Sequence, residues 1–329
     1  MTNTTAAESA VAPEVKTDTA TSLATDFSPG SLDQYWDLDH PDRVEATFRD
    51  LLRVAKEKGT TPPDHLIELL TQLARAQGMQ GKLPSAETTL REAEELLALN
   101  ADRCSVGARI SFLLEKGRIH YLEKTPAIAR PLLVEAWTLA GKHAEDFYSI
   151  EIAQLLARIE PPKVQKDWTL KALSLAEDSS SERVKQCLCT IYTTLGWHFF
   201  ELRQYDKALE LFKKALVRLE GELPASIHPS ITGRKIVTAK SSIGKMLRLQ
   251  GRFEEALAIQ QDVLAEVDRA GRKDGGIYEE MAECLSALKR TADAEVYFKL
   301  AHAELSLDEW FKDNKPERIK RLKEYGKVK

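Results

Sequence analysis

The chain is poor in cysteine and has no long run of apolar residues. It carries four cysteines in 329 residues, and only Cys187 and Cys189 lie close together. Residues two apart on a helix point in different directions, so this pair is a poor disulfide or metal site, and free thiols in a reducing compartment are the better interpretation. Without eighteen consecutive apolar residues or the apolar block of a secretory signal, we expect no membrane association and a cytoplasmic location.

Groups of side chains that carry out catalysis are also missing from the sequence. No histidine has a second ligand at a spacing typical of zinc. The seven histidines occupy positions 40, 65, 120, 143, 198, 228 and 302. There is no glycine-rich loop of the kind that holds a phosphate, and no GxSxG motif. We therefore expect no enzymatic activity, no metal and no cofactor.

An excess of positive charge is lacking as well. The formal net charge is −4, whereas a protein that neutralises nucleic-acid phosphates needs a basic surface. Nucleic acid is therefore an unlikely class of partner. The exception is the basic C-terminal stretch, RIKRLKEYGKVK (318–329). We interpret this stretch as a solvated helix end, because cations there favour the helix dipole.

What the sequence does contain is helical periodicity. Residues 1–30 are rich in Thr, Ala, Ser and Pro, and they predict a disordered tail. From Leu32 onward, apolar residues recur at helical spacing, with no convincing alternating pattern of a strand. The fold class is predicted to be all-α.

A register of small residues repeats along this helical part. Gly196 is followed after twelve residues by Ala208 and after a further seven by Ala215. A glycine inside a helix costs about 1 kcal/mol relative to alanine, so Gly196 predicts a close approach of two helices. Turn residues fall between the first and second sites, which predicts a helix–turn–helix unit for each copy. The equivalent sites in the other copies are Ala74, Ala86 and Ala93; Gly117, Ala129 and Ala136; Ala153, Gln165 and Ala172; Gly244, Ala256 and Val263; and Ala282, Ala294 and Ala301.

The fourth copy resembles the tetratricopeptide repeat signature. The resemblance is carried by Tyr192, Leu195, Gly196, Phe199, Tyr205, Ala208, Phe212 and Ala215. It implies an α-solenoid, a right-handed superhelix of about six repeats, whose longer intervals resemble the kinesin light chain type. The implied domains are an N-terminal helical cap over 31–58, a repeat array over 59–305, and a capping helix with a basic tail over 306–329. We expect Trp310 to cover the last apolar face and residues 222–233 to form a loop.

The resemblance also implies where a partner binds. In this family the concave groove is lined by the first helix of each repeat, including the residue after the first small site, the residue one turn further and the residue three places before the site. Carried over, these positions give a basic patch, a central aromatic patch and a second basic patch, followed by acidic residues in the last repeat. The candidate peptide-binding residues are Arg75, Arg118, Tyr121, Trp197, Phe200, Lys245 and Arg248, and the acidic ones are Glu279 and Glu283.

This lining predicts a scaffold or adaptor that binds a protein or an acidic peptide with an apolar anchor. Trp197 either contacts that anchor or packs against the next helix pair. The long polar side chains either bind the partner or merely solvate the groove. The Lys and Asn residues with which some relatives clamp a chaperone's C-terminus are not reproduced. Two alternatives remain: a peptide- or ligand-responsive regulator and, less favoured, an RNA-binding helical repeat protein. Self-association stays open.

Overall fold

The computed structural model describes residues 32–222 and 229–328, and all regular structure within them is helical. The all-α class is thereby confirmed, whereas the predicted tail over 1–30 lies outside the described residues. After a short 3-10 helix, Asp33–Tyr35, the α-helices are α1 (Pro41–Lys58), α2 (Pro63–Met79), α3 (Leu83–Leu99), α4 (Val106–Leu122), α5 (Pro126–Lys142), α6 (Asp146–Ile159), α7 (Pro162–Asp178), α8 (Glu182–Lys185), α9 (Leu188–Glu201), α10 (Tyr205–Glu222), α11 (Pro229–Leu249), α12 (Phe253–Arg269), α13 (Gly275–Ala287), α14 (Thr291–Leu305), α15 (Glu309–Asn314) and α16 (Pro316–Tyr325).

The helices group into two compact units. Unit 1 ends at Ile159 and unit 2 begins at Glu160. In unit 1, α2 packs on α3 and α4 on α5; in unit 2, the pairs are α9 with α10, α11 with α12, and α13 with α14. These five pairs are the helix–turn–helix copies that the sequence predicts. The two helices assigned to the third copy, α6 and α7, fall in different units.

Each of these pairs reverses direction at a single residue with left-handed backbone. In the fourth copy this residue is Arg203, with φ of 56°. Its N–H donates to the Phe200 carbonyl and the Gln204 N–H donates to the Phe199 carbonyl, both at 2.9 Å. These bonds satisfy carbonyls that the end of a helix would otherwise leave unpaired. The corresponding residues in the other pairs are Gly81, Lys124, Gly251 and Lys289.

The small residues of the register lie where paired helices approach most closely. A Cβ built on Gly196 would meet ring atoms of Phe212 at 2.7 and 2.9 Å, and one on Gly117 would meet Leu133 Cγ at 2.7 Å. Phe212 and Leu133 are themselves fully buried. The glycine in each of these two first helices therefore makes room for a large side chain sixteen residues later. This geometry confirms the close approach that the sequence predicts at Gly196.

A buried carboxylate fixes the first helix, α1, to the rest of unit 1. Glu45 Oε2 lies 2.7 Å from Lys82 Nζ, and Gln80 Nε2 donates to it at 2.9 Å, so α1 is held at the turn between α2 and α3. Burial raises the pKa of Glu45, but hydrogen bonds from Lys82, Arg49 and Gln80 outweigh burial and lower it to about 2. The carboxylate is therefore ionised throughout the physiological range.

Two sequence-based expectations in unit 2 are wrong in detail. Trp310 does not cover the last apolar face, because it is 56% exposed. Leu322 of α16 does so instead: it is fully buried in the core of unit 2, and Phe311 and Ile319 pack against the same core. The predicted loop over 222–233 is also too long, because α11 already begins at Pro229, a residue well suited to a helix N-terminus.

The close approach at Gly196 gives a stability test. Gly196→Leu should lower the free energy of unfolding by about 1–3 kcal/mol, because the added side chain must displace the buried Phe212 ring. Gly141→Leu is the matched control, since no atom lies within 4 Å of a Cβ built there. Chemical denaturation of both variants measures the difference. Equal stability of the two variants would contradict the register.

Candidate functional site

In unit 1, the predicted basic residues converge on one carboxylate. Arg118 Nη2 of α4 lies 3.2 Å from Glu151 Oε2, and Arg75 Nη2 of α2 lies 3.5 Å from the same oxygen. Arg118 also donates from Nε to Glu115 Oε2 at 2.9 Å. Glu151 lies on α6, so one side chain joins three first helices of unit 1. The structure thus brings Arg75 and Arg118 together, but around an internal anion.

The electrostatics of this cluster favour the charged forms. Burial raises the pKa of Glu151, but the positive charges of Arg75 and Arg118 outweigh burial and hold the pKa below its ordinary value. Glu115 is itself almost fully buried beside Arg118. The two arginines are therefore matched by two carboxylates, and the cluster offers little uncompensated charge to an acidic ligand.

A segment before α1 also covers part of this surface. The guanidinium of Arg75 lies 4.9 Å from the ring centroid of Trp36, and Trp36 Nε1 donates to Gln72 Oε1 at 3.0 Å. On the same side of the unit, the Tyr148 hydroxyl of α6 donates to Glu68 of α2 at 3.3 Å. Unit 1 thus fills much of the space between its first helices with its own side chains. Tyr121, the remaining candidate in this unit, is half-buried on α4.

In unit 2, the candidate aromatic residues form one stack. The Trp197 ring meets Phe200 edge to face at 5.3 Å between centroids and Phe212 at 5.1 Å. Phe212 is buried in the core, while Trp197 and Phe200 are only partly buried. Trp197 therefore packs against its own hairpin and still presents ring surface to solvent.

The second basic pair lies beside this aromatic stack. Lys245 Nζ is 5.5 Å from the Phe200 ring centroid, within the range of a cation–π interaction. The same amine is 2.8 Å from Glu280 Oε1 of α13. Arg248 donates to Glu280 Oε2 from Nε at 3.0 Å and from Nη2 at 2.9 Å. The structure thus unites Trp197, Phe200, Lys245 and Arg248, four of the predicted residues, in what we call the aromatic–basic surface.

Glu280 is the anion of the aromatic–basic surface, and two cations share it. Burial raises the pKa of Glu280, but Lys245 and Arg248 outweigh burial and hold it below its ordinary value. Their side chains are 27% and 16% exposed, against 10% for Glu280. Two positive charges on one carboxylate leave an excess of one, next to a partly exposed tryptophan. This combination suits an anionic group adjoining an apolar one.

The acidic residues of the last repeat are paired within the chain. Arg318 Nε donates to Glu279 Oε2 at 2.7 Å, and Arg321 contacts both Glu279 and Glu283. The interpretation of the basic C-terminal stretch as a solvated helix end is therefore wrong for these two arginines. They lie one turn apart on α16, and this places both against α13.

Sequence reasoning missed the two central carboxylates, although a signal for them existed. Glu151 lies two residues before the small site Ala153, and Glu280 lies two residues before Ala282. Glu115 stands in the same position before Gly117. Arg118, which follows Gly117, pairs with Glu151 before the next small site. Lys245, which follows Gly244, pairs with Glu280 in the same way. Trp36 had no such signal, because it lies outside the repeat register.

Residues 32–222 and 229–328 contain neither a metal-ligand cluster nor a helix that could span a membrane. No three His, Cys, Asp or Glu side chains are grouped as they would be to hold a metal ion. Among the described helices, none is long and apolar enough to cross a membrane.

Comparison with known families confirms the resemblance seen in the sequence. Residues 236–266, which span most of α11 and α12, match the tetratricopeptide repeat family model. No curated protein sequence matches the chain.

Similar folds occur among solved structures. A Signal Transduction ATPase with Numerous Domains (STAND) protein with a tetratricopeptide repeat sensor, from Pyrococcus horikoshii, has a TM-score of 0.63 at 15% identity, covering 86% of this chain and 44% of that one. The apo quorum sensor NprR from B. thuringiensis has a TM-score of 0.58 at 14% identity, covering 89% and 79%. NprR in complex with its cognate peptide NprX has a TM-score of 0.54 at 14% identity, covering 91% and 84%. This chain spans less than half of the ATPase, and at these identities the likeness shows the fold alone.

The Glu151 cluster yields a prediction about stability and pH. Glu151→Gln should lower the free energy of unfolding at pH 7 by roughly 2 kcal/mol, because two arginines lose a buried partner charge. The pKa of Glu151 is lowered in the folded state, so its contribution is present above the ordinary carboxylate range and is lost as the pH falls through the folded-state value. The difference in free energy of unfolding between the wild type and Glu151→Gln should therefore narrow as the pH falls from neutral toward 3.

Glu255→Gln is the control for this prediction, because Glu255 pairs with Arg252 on the surface, where water screens the charges. Denaturant unfolding at several pH values measures both variants. A loss for Glu151→Gln no larger than that for Glu255→Gln would contradict the role of Glu151 as the charge that joins α2, α4 and α6.

Proposed function

We propose that this tetratricopeptide repeat protein is a non-enzymatic scaffold or adaptor, and that its aromatic–basic surface binds an acidic segment of a partner protein. One observation carries the proposal: Trp197 and Phe200 lie beside Lys245 and Arg248, which exceed their shared carboxylate by one positive charge. A partner with an aromatic or aliphatic anchor next to Asp or Glu matches this surface in both polarity and charge.

The two units differ in what they offer such a partner. In unit 1, Arg75 and Arg118 face Glu115 and Glu151, and Trp36 stacks over Arg75. A ligand there would have to displace side chains that already satisfy one another. In unit 2, Trp197 packs on two aromatic rings of its own hairpin and keeps part of its surface exposed. We therefore place the principal contact in unit 2 and give Arg75, Arg118 and Tyr121 a supporting role at most.

Glu280 gives the proposed site a built-in competitor. A carboxylate of the partner would have to share Lys245 and Arg248 with Glu280. Because Glu280 is nearly buried, it stays close to both cations whether or not a ligand is present. Its presence favours ligands that bring an apolar anchor as well as charge, since charge alone gains little in exchange for an existing pair.

A peptide array tests the proposal through the chemistry of the partner alone. It would present peptides that contain one Trp, Phe or Leu flanked by Asp and Glu, and matched peptides flanked by Gln or Lys. We expect the full chain to retain the acidic set, and Trp197→Ala and Lys245→Gln/Arg248→Gln each to weaken retention by about tenfold or more. Arg252→Gln serves as the control, because Arg252 pairs with Glu255 outside this surface.

Glu280→Gln should have the opposite effect on peptide retention. Removing the competitor's charge should strengthen retention of the acidic peptides severalfold while lowering the stability of the fold. Failure of every acidic peptide to bind, or equal binding by wild type and Lys245→Gln/Arg248→Gln, would overturn the proposal.

A second candidate function is a regulator that responds to a peptide. Its support is the fold it shares with NprR, a quorum sensor whose structure with a cognate peptide is known. Small-angle scattering with and without a retained peptide separates the candidates. A regulator should change its radius of gyration on binding, whereas a scaffold should keep it.

A further inference from the structure

A cavity opens in unit 2 among three consecutive helices, away from the aromatic–basic surface. It measures about 450 Å³ and lies between α10, α11 and α12. This volume falls in the range of small-molecule sites in proteins. The floor is apolar, formed by Leu216, Ile243 and Ile259. Ala265 lies at its edge, and the rim is charged, with Lys213, Lys240, Asp262, Glu266 and Arg269.

The cavity lies where the hydrophobic core of unit 2 divides. Leu216 packs at the margin of two clusters of buried residues, and Ile259 at the margin of the first and a third. The first cluster includes Ile243 and Met246, the second Ile236 and Ala239, and the third Val263 and Val267. Leu216 and Ile259 are only partly buried, although they adjoin three clusters. Apolar surface therefore remains that no side chain of the described residues covers, and an apolar ligand would gain by covering it.

The rim is biased toward positive charge. Lys240 Nζ and Glu266 Oε1 pair across α11 and α12 at 2.7 Å and neutralise each other. The other charged residues of the rim are Lys213, Arg269 and Asp262, two cations against one anion. Glu255, which does not line the cavity, interacts electrostatically with Lys213. An apolar floor beneath a net positive rim selects for a ligand with an apolar body and a negative head.

We propose that this cavity binds a small amphipathic carboxylate, with its apolar body against Leu216, Ile243 and Ile259 and its head group at the rim that carries Lys213 and Arg269. The site is separate from the aromatic–basic surface. Lys240 and Ile243 lie on one face of α11, whereas Lys245 and Arg248 lie on another, because successive helical residues are rotated by about 100°. A peptide and this carboxylate would therefore occupy the protein at the same time.

Decanoate is a suitable probe, with decanol and decyltrimethylammonium as its neutral and cationic counterparts. Calorimetric titration of the full chain should show one decanoate site at concentrations below micelle formation, and weaker binding of the other two. Ala265→Trp should weaken decanoate binding at least about tenfold by filling the cavity from its exposed edge. Lys213→Gln and Arg269→Gln should each weaken it about two- to fivefold, as expected for exposed charges.

Lys235→Gln is the matched control, because Lys235 is an exposed lysine of α11 that does not line the cavity. Unchanged circular dichroism of each variant verifies that the fold persists. Decanoate binding that Ala265→Trp leaves intact, or no binding at all, would overturn the site. Equal binding of decanol and decanoate would overturn the assignment of an anionic head. None of these results depends on peptide binding by the aromatic–basic surface.

Discussion

The architecture depends on one steric constraint, the close approach of the two helices within each hairpin. The first helix has a small residue where the second brings a large one, sixteen positions later: Phe212 over Gly196, Leu133 over Gly117 and Gln260 over Gly244. No side chain larger than that of glycine fits beneath Phe212 without displacement. Because this contact fixes how each hairpin closes, it also fixes which face of every first helix is turned away from its partner. The candidate binding residues lie on that remaining face.

Ion pairs on that face follow a recurring pattern. A cation just after one small site pairs with a carboxylate two residues before the next, as Arg118 does with Glu151 and Lys245 with Glu280. At the C-terminal end the signs reverse, and α16 supplies arginines to Glu279 and Glu283. Between the fourth and fifth copies, Trp197 takes the cation's place and Ser242 the carboxylate's, so no such ion pair joins these two copies. This interruption supports the proposal that the aromatic–basic surface is where a partner binds.

Most of the fold could be predicted from the sequence, but less of the site. The small-residue register depends on local spacing, so it identifies the hairpins and the close approach at Gly196. The positions after each small site likewise locate Trp197, Phe200, Lys245 and Arg248. Their partners Glu151 and Glu280 lie on later helices, and Trp36 and Leu322 lie outside the register. Such pairings depend on tertiary geometry. The sequence alone therefore indicates unpaired charge in the basic patches, and it predicts that Trp310 covers the last apolar face, which Leu322 covers in the structure.

Five tryptophans, spread over both units, allow the central claim to be tested in one titration. An acidic peptide with a single apolar anchor would be added to ¹⁵N-labelled protein, and the indole N–H signals followed by nuclear magnetic resonance. If the aromatic–basic surface is the binding site, the Trp197 signal shifts and saturates, while those of Trp36 beside Arg75 and of Trp310 near α16 stay in place. A saturating shift of Trp36 with Trp197 unchanged would contradict the account, because it would place the partner in unit 1.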